Sequence, residues 1–257
     1  MTSVKRLTLA VLLLFMPLMM GQNYGSGIAM VNQQPAGSPW SISSSYDCDG
    51  TDTTEISTDD STWVKLINTS GGIVDINTNS CECAYSANVE CDIYEWTTAT
   101  TGTDVAFYFL QTDINATGST RDSNFGARLE ADNTGYTLNF TGASGAPLWC
   151  QTDWDVAWCQ NVISSTCDSG PGWGGMVAGN YYGATIIGTG TATEISWYDF
   201  GGSAPGDPST WSSPECVKTT NPGANAEDSA STWALRLRDA NGGQTTRVDD
   251  LTFWEIL

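Results

Sequence analysis

Residues 231–256 read STWALRLRDANGGQTTRVDDLTFWEI. In the first half, Trp233, Leu235 and Leu237 alternate with Ala234, Arg236 and Arg238. A period of two belongs to an extended strand, with one set of side chains in a core and the other in water. Residues 239–243 contain Asn241-Gly242, a pair suited to the positive φ angles of a tight turn, so the segment predicts a hairpin. Asp249 and Asp250 interrupt the second strand and predict a bulge or a sheet edge there.

The same pattern recurs upstream. Tyr136, Leu138 and Phe140 alternate with Thr137, Asn139 and Thr141. Residues 63–67, 72–77, 184–188 and 194–200 are β-branched and aromatic runs between clusters of Gly, Asn, Asp and Pro. Residues 105–110, VAFYFL, are apolar throughout and predict a central strand covered on both sides. A helical period is nowhere sustained over three turns after the first twenty residues. One short helix is predicted over 152–160, where Trp154 and Trp158 would share a face. The fold class is all-β, an antiparallel β-sandwich.

Composition narrows the function. The 257 residues hold 9 Lys and Arg against 29 Asp and Glu, a net charge of −20, and no histidine. Such an anionic chain is a poor ligand for phosphate backbones, which excludes nucleic acid as a partner, and it repels acidic polysaccharides. Without histidine there is no Ser-His-Asp or Cys-His chemistry. Carboxylate chemistry, calcium, and binding without chemistry remain.

Lys5 and Arg6 precede an apolar run over 7–20, the pattern of a signal peptide over 1–21, and the run is too short to span a membrane. The rest of the chain is therefore expected to be secreted, without membrane insertion. Eight cysteines follow: Cys48, Cys81, Cys83, Cys91, Cys150, Cys159, Cys167 and Cys216. An even number in an exported chain reads as up to four disulfides of undetermined pairing. Residues 22–45, rich in Gly, Ser, Asn and Gln, read as a flexible arm, although Trp40 and Ile42 can begin a strand. Residues 46–257 make one sandwich or, if 142–148 is a linker, two, 46–142 and 148–257. The Pro-rich stretch 201–230 reads as a long loop, functional or pinned covalently.

A terminal strand pair closing on V-D-D-L-x-F resembles the last strands of jelly-roll carbohydrate-binding modules and related concanavalin- or galactose-binding-like sandwiches. Residues 63–77, WVKLINTSGGIVDIN, are similar to bacterial secreted β-sandwich domains of the prepeptidase C-terminal type. The first resemblance implies a jelly roll, and makes a structural calcium ion more expected.

Three constellations carry candidate function. Trp149, Trp154, Trp158, Trp173, Tyr181 and Tyr182 crowd one segment, and such rings offer flat faces to sugars. Asp47, Asp49 and Asp52 surround a glycine with the oxygen ligands that calcium (Ca2+) prefers. Glu95 and Glu194, each with aromatic neighbours, are the candidate pair for glycoside hydrolysis. Asn68, Asn115 and Asn139 open glycosylation sequons, of which Asn115 is the best acceptor, although chance supplies about as many in this composition. The expected function is secreted, non-catalytic binding of a neutral glycan. A structural subunit of a matrix, coat or filament, self-assembling through strand exchange, is the alternative. A glycoside hydrolase stands third.

Overall fold

A computed structural model of the chain describes residues 38–67, 72–84, 89–91, 93–97, 102–114, 121–129, 134–141, 149–153, 161–164, 166–189, 192–219, 232–239 and 246–256. Two antiparallel sheets face each other. The front sheet contains β1 (Trp40–Tyr46), β3 (Ile73–Ile76), β4 (Cys81–Ala84), β7 (Val105–Ile114), β12 (Asn180–Ile187), β13 (Glu194–Gly201), β14 (Cys216–Lys218) and β16 (Thr246–Ile256). The back sheet contains β2 (Trp63–Ile67), β5 (Val89–Glu90), β6 (Ile93–Trp96), β8 (Arg121–Leu129), β9 (Thr134–Thr141), β10 (Trp149–Asp153), β11 (Asn161–Ser164) and β15 (Thr232–Asp239). The spatial order is β14-β13-β12-β7-β16-β4-β3 in front, with β1 also on β16, and β11-β10-β9-β8-β15-β6-β2 behind, with β5 on β15. Each sheet draws strands from both sides of residues 142–148.

The terminal segment departs from its expected form. β15 and β16 are strands, but they lie in different sheets and do not pair with each other. Trp233 and Phe253 instead meet across the core, ring centroids 4.7 Å apart and planes tilted by 35°. The alternation that suggested a hairpin is satisfied equally by a strand central to each sheet, because both put one face inward. The predicted bulge is present: the register on β7 slips between Asp249 and Thr252, and Asp250 has φ 50°. It falls inside the sheet, since β16 pairs on both sides.

Other local expectations also change. Residues 40–45 of the expected arm form β1 along β16, while 1–37 lie outside the described residues. Thr152 and Asp153 belong to β10 and not to a helix, and 154–160 lie outside the described residues. The polar faces expected in water are buried: Thr137, Asn139 and Arg236 are 0%, 3% and 0% exposed.

The core is aromatic. Phe107 of β7 touches the rings of Phe109, Phe125, Phe140, Trp233 and Phe253. A second knot joins Tyr46, Trp63 and Trp96. Such edge-to-face and tilted pairs add about 0.5–1.5 kcal/mol each beyond the area they bury.

Disulfides fasten the periphery. Cys48–Cys81 ties the chain after β1 to β4, and Cys167–Cys216 pins the segment before β12 to β14. Cys83–Cys91 joins β4 to a residue whose amide donates to the Leu237 carbonyl of the back sheet. Cys150 is buried and disulfide-bonded, and Cys159 lies outside the described residues. Among the described residues no helix is long and apolar enough to cross a membrane.

Phe107 contacts both sheets through five rings, so its loss leaves a cavity that neighbours cannot fill by small shifts. Phe107→Ala is expected to lower the free energy of unfolding by about 3–5 kcal/mol. The measurement is a lower denaturant midpoint at unchanged slope.

Candidate functional site

The central strands of the front sheet are apolar on both faces, and the outer one carries a second cluster. Val105, Phe107 and Phe109 point to the core; Ala106 and Tyr108 point out. On β12 the outward residues include Tyr181 and Ile187, on β13 Tyr198 and Phe200, and on β16 Trp254. Register brings them into rows. Tyr198, Gly183, Tyr108 and Thr252 are consecutive partners across the sheet, and so are Ser196, Thr185, Ala106, Trp254 and Ile42.

Gly183 makes the first row possible. A Cβ there would sit 2.4 Å from the Phe107 carbonyl oxygen and 3.1 Å from both Phe200 Cε2 and Tyr108 Cβ. The missing side chain lets the two flanking rings close over the strand.

The chain after β13 then folds back over these rings. Trp211 packs against Phe200 at 4.8 Å, Tyr198 at 5.4 Å and Tyr108 at 6.5 Å. A 3₁₀ turn, Pro208–Thr210, holds the return. Asp207 caps it by accepting from the Ser209 amide, and accepts as well from the Ser38 hydroxyl. The Trp211 indole N–H donates to the Gly206 carbonyl. Burial pushes the Asp207 carboxyl up, but the hydrogen bonds from Ser209 and Ser38 outweigh it and hold the group below its ordinary value. Tyr108 and Tyr198 are buried beneath, whereas Tyr181, Phe200 and Trp211 remain half-buried.

Carboxylates border the rings. Asp250, placed by the bulge, accepts from the Tyr181 hydroxyl at 2.9 Å. Asp249 accepts from the amides of Cys48 and Asp250. Burial, reinforced by the neighbouring Asp47 carboxyl, raises Asp249 to about 7. Burial likewise raises Asp250, and burial with the Asp250 carboxylate keeps Tyr181 protonated. Asp199 stands apart from them, on the side of β13 shared by Ile195 and Trp197 and paired with Tyr182, where it accepts from Asn180 Nδ2 and from the Gly201 amide.

Of the six rings expected to bind sugar, only Tyr181 is placed on this face. Trp173 and Tyr182 are core residues, 4% and 0% exposed. The Trp173 indole donates to the Thr141 carbonyl, and the Tyr182 hydroxyl accepts from the Val177 amide. Each ring plugs the end of the sandwich beside Phe140 or Phe109. Trp149 lies in β10 of the back sheet, and Trp154 and Trp158 lie outside the described residues.

The expected hydrolytic pair is not assembled. Tyr94 and Trp96 on either side of Glu95 point to the core, as does Ile195 beside Glu194. Glu95 therefore faces outward from the back sheet, where it accepts from the Thr232 hydroxyl, and Glu194 faces outward from the front sheet. Sheets pack about 10 Å apart, and hydrolysis needs carboxyls roughly 5–9.5 Å apart with the sugar between them. Opposite outer faces cannot supply that.

Of the expected calcium ligands, Asp49 lies near the Asp47 and Asp59 carboxyls. Asp52 accepts from the Thr78 amide, and Asp47 is turned toward Asp249. Among the described residues no group of three or more His, Cys, Asp or Glu is arranged to hold a metal ion. Asn139 is 3% exposed inside β9, which leaves no room for a glycan; Asn68 and Asn115 lie outside the described residues.

Tyr108, Tyr198, Phe200 and Trp211 carry no motif. For Tyr108 the signal was the lack of a polar face in 105–110, since a strand apolar at both parities must cover an outer surface as well as an inner one.

No protein-family model matches the chain, and no curated protein matches it in sequence. Similar solved structures include carbohydrate-binding module CBM66 from Bacillus subtilis, 11% identical with a TM-score of 0.45, over 74% of this chain and 93% of that one. A galectin-like-fold protein from Bacillus subtilis is 8% identical with a TM-score of 0.47, over 81% and 97%. The lectin UEA-II, complexed with galactose, is 8% identical with a TM-score of 0.39, over 84% and 100%. The sandwich architecture itself stands on the strand pairing.

Two buried carboxyls set the pH response. Burial and the neighbouring Glu82 raise Asp75 to about 6, and Asp249 reaches about 7. An unfolded aspartate titrates at about 3.9. Between about pH 4 and pH 7 the folded chain holds more protons than the unfolded one, so stability falls as the pH rises through that window. Thermal unfolding is expected at a higher midpoint at about pH 5 than at about pH 8. Asp249→Asn, which keeps an acceptor oxygen for both amides, is expected to flatten that dependence.

Proposed function

We propose that the outer aromatic face of the front sheet binds carbohydrate without chemistry, and that the chain is secreted. The observation that carries this reading is the half-buried trio Tyr181 of β12, Phe200 of β13 and Trp211 of the returning loop, beside the acceptor Asp250. A sugar ring has an apolar side lined by C–H groups and a rim of hydroxyls. An aromatic ring takes the first, and a carboxylate accepts from the second.

The rings are anchored before any ligand arrives. Trp211 is fixed by its indole hydrogen bond and by three neighbouring rings, and Tyr181 by Asp250. Little side-chain freedom is then lost on binding, which favours affinity from a small contact area. Acidic sugars are disfavoured because the carboxylates at the rim would repel them. Disulfides and the basic-then-apolar start of the chain support export.

A glycan array followed by titration of tryptophan fluorescence tests the reading. Trp211→Ala and Tyr181→Ala are each expected to weaken binding at least tenfold, while Glu95→Gln on the opposite face leaves it unchanged. Absence of binding to every glycan, or equal affinity in the Trp211 and Tyr181 variants, overturns it.

A further inference from the structure

The two sheets differ in charge. Five of the chain's nine cations, Lys65, Arg121, Arg128, Arg236 and Arg238, sit on back-sheet strands, where five carboxylates accompany them. The front strands carry eight carboxylates and two cations, Arg247 and Lys218. Neither cation serves the aromatic face. Arg247 is paired with Glu82, and Lys218 is buried against the Trp197 ring, its ammonium 5.3 Å from the centroid. Lys218 lies on β14, outside the rows of aromatic side chains, and Arg247 lies at the other end of β16 from Trp254.

Charge around the rings is thus of one sign. Asp249 and Asp250 lie at one side, and Asp207 in the loop that carries Trp211. Asp207 adds an independent observation. It is 6% exposed and its Oδ1 is occupied by Ser38 and Ser209, but its Oδ2 is buried without a hydrogen-bond partner. A desolvated carboxylate of this kind is stabilised by a nearby positive charge. Among the described residues the ion pairs of Lys65 with Glu55 and of Arg247 with Glu82 lie elsewhere.

Aromatic faces supply the second half of the match. An ammonium over a Trp, Tyr or Phe ring is attracted by the ring's quadrupole, most strongly where water is partly excluded. Half-buried Trp211, Phe200 and Tyr181 meet that condition, and the carboxylates add Coulomb attraction from the rim.

We infer that the front face takes an amine-bearing glycan, a polymer of deacetylated amino sugars, in preference to a neutral one; the inference rests on the glycan-binding reading above. The sugar ring stacks on the aromatic trio and its ammonium replaces a hydroxyl as donor to the rim carboxylates. The neutral glycan expected from net charge alone meets the same rings but leaves the carboxylates without a counter-charge.

Isothermal titration with a β-1,4-linked glucosamine hexamer and its fully N-acetylated counterpart separates the cases at about pH 7, where amines still carry protons and Asp249 is no longer held fully neutral. The deacetylated hexamer is expected to bind at least tenfold more tightly, with a preference that shrinks at high salt. Asp250→Asn, which still accepts from Tyr181, is expected to remove most of that preference. Trp211→Ala, which leaves the net charge unchanged, is expected to weaken both hexamers. Equal or tighter binding of the N-acetylated hexamer overturns the inference and leaves the glycan reading standing. Polylysine bound as tightly as the glucosamine hexamer, with both indifferent to Trp211→Ala, shows simple polyanion attraction and overturns it. If neither hexamer nor any array glycan binds, both fall.

Discussion

Strand β7 has no polar side over Val105–Phe109, and much of the molecule answers to that. Phe107 and Phe109 need a second sheet against them, and Ala106 and Tyr108 need a cover on the other side. Such a strand is stable only inside a sheet, with both faces occupied. β12 and β16 close its edges, and the back sheet closes its inner face. On the outer face the chain has no third sheet to offer. It supplies Trp254 and Trp40 at one end and returns Trp211 from the loop at the other. That surface is a thin second core, one ring deep, whose upper rings stay partly in solvent. Rings with buried lower edges and wet upper faces are the arrangement that suits stacking on a flat, half-apolar ligand.

How far the amino-acid order discloses this differs between levels. Strand positions were legible, because β-branched and aromatic runs between turn residues have no competing helical period. The central place of β7 was legible from its doubly apolar face. Pairing was not. Residues 231–256 read as a hairpin because alternation reports only which face is buried, and says nothing of which neighbour lies alongside. Short edge strands such as Cys216–Lys218 lack enough residues to show a period at all. The site was partly hidden for a similar reason. The ring-rich segment around Trp173 and Tyr182 drew the eye by density, yet those rings close the end of the core. Trp211, isolated among prolines, joins Tyr181 and Phe200 as a ring partly in solvent over the outer face, and only the folded path of its loop reveals that.

The edges of the front sheet bear on the choice between a binding protein and an assembly subunit. Strand exchange requires an open ladder of amides and carbonyls. At β3 the ladder is met by residues 53–55: Thr53 donates to the Ile76 carbonyl, and Ile76 donates to that of Thr54. At β14 the amides of Asp168 and Ser169 take the Val217 carbonyl, and the Val217 amide donates to Ser169. A disulfide lies close to each of these covers, Cys48–Cys81 and Cys167–Cys216. The covalent bonds thus hold short segments that would otherwise leave the ladder exposed.

The acidic rim follows from a register problem in β16. Val248 packs in the core, and so do Leu251 and Phe253. A regular strand starting from Val248 would turn Asp250, Thr252 and Trp254 inward and expose Leu251 and Phe253, because a shift of one residue exchanges the two faces. One extra residue between Val248 and Leu251 corrects the parity, and the chain absorbs it at Asp249 and Asp250, with Asp250 at positive φ. Aspartate tolerates that conformation better than branched residues do. The side chains serve the kink directly, since Asp249 binds the two amides it leaves unpaired, those of Cys48 and Asp250. The same correction sends Trp254 outward, where the outer cluster needs it, and sets the Asp250 carboxylate against Tyr181. One inserted residue therefore supplies both an apolar ring and an anionic acceptor to the outer face. The chemistry there is a consequence of how the last strand reconciles its two hydrophobic sets.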